Sequence, residues 1–257
     1  INEAHRIHNT SATASAALGR LLTAGAILGG AQLKSETDSL TLQINGDGPL
    51  GVMTVVANAS SEVRGYVENP TADLPANSRG KLDVSGVIGK GFLSVIRDLD
   101  LKEPYIGRTP LISGEIAEDL TNYLYVSEQT PSSIGLGVLV DTDFSAKAAG
   151  GFIIQPMPDA DEETISRLEE NLQKLRPVTT MIDEGKDARE IILEIMNGFE
   201  MEFLTTTDLA FKCQCSKERL EDVLLNLNHD DMESLIADGQ AEVCCHFCGE
   251  KYHFSRE

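Results

Sequence analysis

The chain opens with a segment that is apolar on nearly every side. Between residues 11 and 33 stand Ala14, Ala16, Ala17, Leu18, Leu21, Leu22, Ala26, Ile27 and Leu28. A helix without a polar face is normally a buried one, and Asn2–His8 reads as its approach. The period then changes from helical to alternating. Leu40–Asn45 and Val52–Asn58 predict strands, and Val63–Glu68 predicts a third that Asn69-Pro70 stops. Residues 69–90 read as loop and Phe92–Arg97 as a further strand, and Pro110–Ser113 leads into a helix over 114–125. Ile116, Leu120, Tyr123 and Leu124 share one face of that helix, which Ser127–Ser132 breaks. Ile134–Val140 and Ala148–Gln155 predict two more strands around a turn at 141–145.

After Pro156-Met157-Pro158 the pattern becomes acidic and helical. Asp159–Glu163 caps a helix carrying Ile165, Leu168, Leu172 and Leu175, which Pro177 ends. Residues 181–185 read as a turn, and Ala188–Met196 as a short helix with Ile191, Ile192 and Ile195, closed by Gly198. Short helices of this kind are unstable alone in water, so the segment must lie against something.

The remaining stretch holds every cysteine of the chain. Cys213-Gln214-Cys215 and Cys245-His246-Phe247-Cys248 are two close pairs on either side of a helix-sized spacer. Each pair can offer two thiolates from one tight turn, the form of a four-cysteine zinc site. The spacer predicts a helix capped by Ser216, with Leu220, Val223, Leu224 and Leu227 at helical spacing. A second helix, with Met232, Leu235 and Ile236, should open at a capping box of Asp230 and Glu233 and end at Gly239. A hairpin of Ala241–Val243 and Lys251–Phe254 flanks the second pair. The expected ligands are Cys213, Cys215, Cys245 and Cys248, holding one Zn²⁺; His246 and His253 are read as surface residues of the hairpin. Core cysteines would not sit among Lys, Gln, Ser and Gly, and a disulfide framework would suit a small secreted domain.

These elements add up to an α+β protein: a β-sheet core domain packed around a buried apolar helix (1–157), a helical linker (158–206) and a small C-terminal four-cysteine zinc domain (207–257). Charge narrows the function. Lys and Arg total 21 against 41 Asp and Glu, a net charge of -20. Such a field repels nucleic-acid backbones, and without tryptophan a stacking platform for single strands is not expected. No membrane span is expected, since the long apolar segment carries Arg20 in its middle. Thiols with no secretory signal recognised lead us to expect a reducing cytoplasm. The missing initiator Met leads us to expect a preceding segment.

No catalytic residue is expected. Gly46-Asp47-Gly48-Pro49-Leu50-Gly51 spells a dinucleotide fingerprint, but the fingerprint must open a helix and this stretch continues as strand, so it reads as a hairpin loop. Ser127, Glu128 and Ser132 read as loop and cap polar groups, and no nucleophile elbow, phosphate loop or zinc-protease motif occurs before the linker. A thiol-disulfide oxidoreductase using Cys245 and Cys248 is one alternative, and a zinc-module regulatory binding protein another.

Three segments together resemble the redox-regulated 33 kDa heat-shock chaperone family of bacteria. They are the cysteine pattern with Phe211–Arg219, the run Ser127-Glu128-Gln129-Thr130-Pro131-Ser132, and Ala148–Gln155 leading to Met157-Pro158. The resemblance covers essentially the whole chain. It implies an ATP-independent cytoplasmic holdase that is inactive when reduced and zinc-bound. Oxidised, the family releases zinc, loosens its linker, forms homodimers and binds unfolding client proteins. Cys213, Cys215, Cys245 and Cys248 match both its zinc ligands and its redox disulfides. Two departures are the extra Cys244 beside the second pair and the absence of roughly thirty opening residues that supply the family's first strand.

Magnitudes suit such a switch. A module of about fifty residues buries too little to be stable alone, whereas a structural zinc contributes ~10–16 kcal/mol. If an oxidant pairs neighbours, Cys213 with Cys215 and Cys245 with Cys248, each short loop contributes only ~2 kcal/mol, and nothing then joins the two halves. Pairing across the spacer, such as Cys213 with Cys245, would keep the tie, and the sequence leaves both open.

Overall fold

The computed structural model describes residues 1–255, apart from the side chains of Asp231 and Asp238. The chain divides into two compact units, Ile1–Phe211 and Lys212–Glu257.

The first unit is organised by α2 (Ala12–Gln32), which follows the short α1 (Asn2–His8). Ser11 caps α2 by accepting a hydrogen bond from the Ala14 amide. One side of α2 rests on β1 (Ser39–Gly46), β2 (Val52–Asn58) and β3 (Glu62–Val67), and the other on the hairpin of β6 (Ser133–Val140) and β7 (Ala146–Ile154). Sheets on both sides leave the helix no solvent face, and Leu18, Leu21 and Leu22 are buried with it. Close approach needs small residues. A Cβ at Gly25 would stand 2.8 Å from Val55 Cγ1, so any larger residue would push α2 off the sheet.

The sheet runs in the order β5-β4-β1-β2-β3-β8, with β4 at Gly91–Asp98, β5 at Tyr105–Pro110 and β8 at Ala210–Phe211. All neighbours are antiparallel except β3 and β8. Leu42 pairs with both Val55 and Val95, placing three buried side chains in one row under α2. The glycine-rich stretch at 46–51 joins β1 to β2 as expected of a hairpin loop. Its Gly48 and Leu50 amides bond Ile88 and Val87 carbonyls of α3 (Val84–Ile88), a short helix inside the region read as loop.

Other differences have local causes. Strand β5 is not signalled by the sequence pattern, because only Gly107 and Thr109 of its six residues are buried. Helix α4 (Ile116–Glu128) buries the four predicted residues but starts later than Gly114 and runs through Glu128, where Gln129 turns left-handed at φ 53°. Glu128 closes α4 in an ion pair with Arg97, a helical position rather than the loop expected, whereas Ser132 donates to the Thr130 carbonyl in the loop as read.

Three helices follow: α5 (Glu162–Lys174, capped by Asp161), α6 (Val178–Asp183) and α7 (Ala188–Ile195). Residues 181–183, read as the start of a turn, belong to α6, where Met181 faces inward and is fully buried. Asp187 and Glu190 form a complete capping box for α7. Val178, Met181, Ile191 and Ile195 make a second small core with Leu168, Leu172 and Leu175, closed by Phe152 and Ile154 of β7. The helical segment thus lies against the β6–β7 hairpin. Ile165 is half-buried, and Ile192, expected to face inward, is exposed.

The second unit contains α8 (Lys217–Leu225), α9 (His229–Asp238) and the antiparallel pair β9 (Gln240–Cys244) and β10 (Lys251–Ser255). Helix α9 begins at His229, so Asp230 lies in its first turn rather than at its cap as expected.

Candidate metal centre

Two turns present the cysteines. Cys213 and Cys215 precede α8, whose cap Ser216 accepts from the Arg219 amide, and the Arg219 guanidinium returns to the Gln214 carbonyl at 2.9 Å. That clamp fixes the turn between the first two thiols. The second pair sits in the loop of the β9–β10 hairpin. The Cys245 amide bonds the Glu250 carbonyl at 2.9 Å and the Gly249 amide bonds the Cys245 carbonyl at 2.8 Å. Gly249 closes this loop at φ 72°, a conformation that favours glycine.

The four sulfurs lie within 4.8 Å of one another. Cys213 Sγ and Cys245 Sγ are 3.6 Å apart, and Cys215 Sγ and Cys248 Sγ 3.4 Å. These separations are far beyond a disulfide bond of about 2.05 Å. They come close to the edge of about 3.8 Å for a sulfur tetrahedron around zinc at ~2.3 Å per bond. The donor set fits a soft or borderline divalent ion. Cys244, one residue before the cluster, is exposed on β9 and stands outside it; its Sγ reaches only the Gly249 carbonyl at 3.6 Å. The strand's alternation explains this, since Cys244 pairs with the exposed Lys251. His253 is exposed with Nε2 3.7 Å from the Glu242 carboxylate, and neither it nor the exposed His246 belongs to the four-sulfur group.

One contributor was not anticipated. The Tyr252 hydroxyl donates to Cys215 Sγ at 3.2 Å. Its signal lay in the hairpin register, because Tyr252 and Phe254 share the inward face of β10. The thiols are unequal in consequence. Burial works against the Cys215 thiolate, but hydrogen bonds from Tyr252 and from neighbouring thiols outweigh it and hold this group below the ordinary thiol range. Burial pushes Cys213 and Cys248 up, and thiol neighbours add to the rise. Tyr252 is itself pushed up by its bond to Cys215. Gathering four thiols without a cation therefore favours their neutral forms at Cys213 and Cys248, while Cys215 is poised to lose its proton first.

The sequence matches the family described as Hsp33 protein across residues 1–255. The chain belongs to the Hsp33 family. A 33 kDa chaperonin of Desulforamulus reducens is 49% identical over 258 residues, spanning 100% of this chain and 87% of that protein. One from Bacillus cereus strain AH187 is 49% identical over 259 residues, spanning 100% and 88%. The crystal structure of the 33 kDa chaperonin (Heat shock protein 33 homolog) of Thermotoga maritima superposes with a TM-score of 0.90 at 38% identity, covering 99% of this chain and 86% of that one. The chain is accordingly a chaperone, with an α+β sheet core and a C-terminal cluster of four cysteines that could hold a metal ion.

Proposed function

We propose that this chaperone is a redox-switched, ATP-independent holdase whose on–off state is set by Cys213, Cys215, Cys245 and Cys248. The observation that carries the reading is the convergence of four sulfurs within 4.8 Å from two turns that the chain separates by α8 and α9. Zinc bound by these four would supply the long-range tie of the C-terminal domain (207–257). The chain's own residues would do the rest. Arg219 and Gly249 hold the two turns in shape, and Tyr252 holds Cys215 ready as a thiolate.

Oxidation removes the thiolates in pairs. Each disulfide forms from two thiols as one hydrogen peroxide is reduced to two waters. Once the cluster opens, loop-closure entropy favours the nearest partners, Cys213 with Cys215 and Cys245 with Cys248. Such short loops stabilise the chain by only ~2 kcal/mol each. The domain then lacks both a core and a tie, and the linker (158–206) loosens from the core domain (1–157).

Release of the linker uncovers Phe152, Ile154, Val178, Met181, Ile191 and Ile195, which now close on each other. Exposed apolar surface on a chain of net charge -20 can hold unfolding proteins while charge keeps the complex in solution. The partners are unfolded or partly folded clients in the cytoplasm, and the oxidised form pairs as a homodimer. No reaction is catalysed and no nucleic acid is bound. The test is light scattering from a thermally unfolding client, with zinc release followed by a chromogenic chelator. Suppressed aggregation only after peroxide, with about one zinc released per chain, is the expected result. Release without protection would overturn the switch and leave a structural metal site.

A further inference from the structure

The cysteine unit does not close a hydrophobic core of its own. Among its described residues Cys245 is the buried one, whereas Leu220, Leu224, Met232, Leu235 and Phe254 are half-buried. The apolar sides of α8 and α9 and the inner face of β9–β10 instead border a groove of about 360 Å³. That volume lies within the ~300–1,000 Å³ range of ligand sites. Leu224, Met232, Leu235 and Phe254 line it, and Leu225 and Ile236 stand at its mouth, 76% and 44% exposed.

Charge narrows what can enter. Glu221 lines the groove itself. Glu218 stands one turn before it on α8, and Glu233 stands one turn before Ile236 on α9; all three are exposed. At one wall the chain already places a cation on an aromatic face, Lys217 Nζ lying 5.5 Å from the Phe254 ring centroid. A second copy would bring an identical acidic rim. A cationic amphipathic segment satisfies both the apolar floor and the rim.

We propose that this groove is a docking site, in the reduced and folded chain, for a short segment of another protein that sets leucine- or phenylalanine-sized side chains beside lysine or arginine. The site is separate from client capture by the oxidised form, and it stands whether or not the holdase reading holds. Leu224, Leu225, Met232, Leu235 and Ile236 belong to the spacer between the two cysteine pairs and Phe254 to the strand after the second, so docking and the gathered cysteines go together.

Fluorescence anisotropy on the full, reduced, zinc-supplemented chain tests it with three dye-labelled peptides. One is a leucine–lysine amphipathic helix, one replaces its lysines with glutamate, and one replaces its leucines with serine. The first should bind at least tenfold tighter than either control. Leu225→Lys and Glu221→Lys alter exposed side chains and should each weaken it about tenfold, whereas Glu103→Lys in the other unit, the same charge change elsewhere, should not. Circular dichroism of the variants confirms that each still folds. Equal binding of the lysine–leucine and lysine–serine peptides would overturn the proposal, since charge alone would then explain it. So would Leu225→Lys leaving peptide affinity unchanged. A shift of the free chain's oligomeric state in that variant, without a change in peptide affinity, would instead assign the groove to a second copy and equally overturn it.

Discussion

At the scale of single residues the cysteine cluster is asymmetric, and its asymmetry makes predictions. Tyr252 gives Cys215 a hydrogen bond that a phenylalanine cannot. Partners of metal ligands typically carry 10–100-fold in metal affinity. Tyr252→Phe is therefore expected to weaken zinc retention about tenfold, read by competition with a chelator, and to raise the pH at which Cys215 reacts with a thiol reagent. An unchanged reaction profile would show that the hydroxyl does not hold the thiolate. The metal-free reduced chain should respond to pH in two opposed ways. Cys215 is depressed, so its contribution to stability is present above the ordinary thiol value and lost as pH falls through its lower folded value. Cys213 and Cys248 are raised, so theirs is present below the ordinary value and lost as pH climbs toward their folded ones. These demands oppose one another, and the unit has no core of its own to fall back on, so without metal it should show little folded signal at any pH. The zinc-loaded chain should instead be folded at neutral pH and lose structure as acid protonates its ligands. Circular dichroism against pH, with and without zinc, separates the two.

At the scale of elements the helical segment on the β6–β7 hairpin is the part whose stability can be tuned independently. Met181 is fully buried between α7 and β7, and truncation at such a site leaves a cavity costing about 2–5 kcal/mol. Met181→Ala should raise hydrogen exchange across 178–195 while leaving α2 protected, and should lower the peroxide needed for client protection. Equal protection of 178–195 in wild type and variant would show that this small core does not hold the segment. The sequence exposed much of this arrangement and hid a definable remainder. Helix α2 was legible because sheets on both sides demand apolar residues all round, and the cysteine spacing needed no tertiary context. Strand β5 was not, since an edge strand with one covered face offers two buried residues in six. Helix α6 was hidden by its length, its two buried residues Val178 and Met181 being too few to show a period. The role of Tyr252 and the pairing of β8 with β3 depend on register between distant segments, which hydrophobic pattern does not encode.

At the scale of the whole molecule, net charge and apolar exposure have to be weighed together. If oxidation uncovers the small core of isoleucine, methionine and phenylalanine as proposed, a chain of net charge -20 faces two forces of opposite sign. Apolar surface draws oxidised chains and their clients toward one another, and self-repulsion keeps the complexes apart. The first is hardly reduced by salt, whereas the second fades as the screening length falls from about 10 Å at 0.1 M to about 3 Å at 1 M. Complexes of the oxidised chain with an unfolded client should therefore stay small at low ionic strength and grow into light-scattering particles near 1 M sodium chloride. The reduced chain, in which the small core around Met181 stays closed, should not scatter under the same salt. Dynamic light scattering across a salt series distinguishes the two. If the oxidised complexes keep their size at high salt, the acidic surface is not what keeps them soluble, and solubility would have to come from the way the client is enclosed. If the reduced chain aggregates alongside them, the effect belongs to charge screening of the folded surface and the uncovered core plays no part in it.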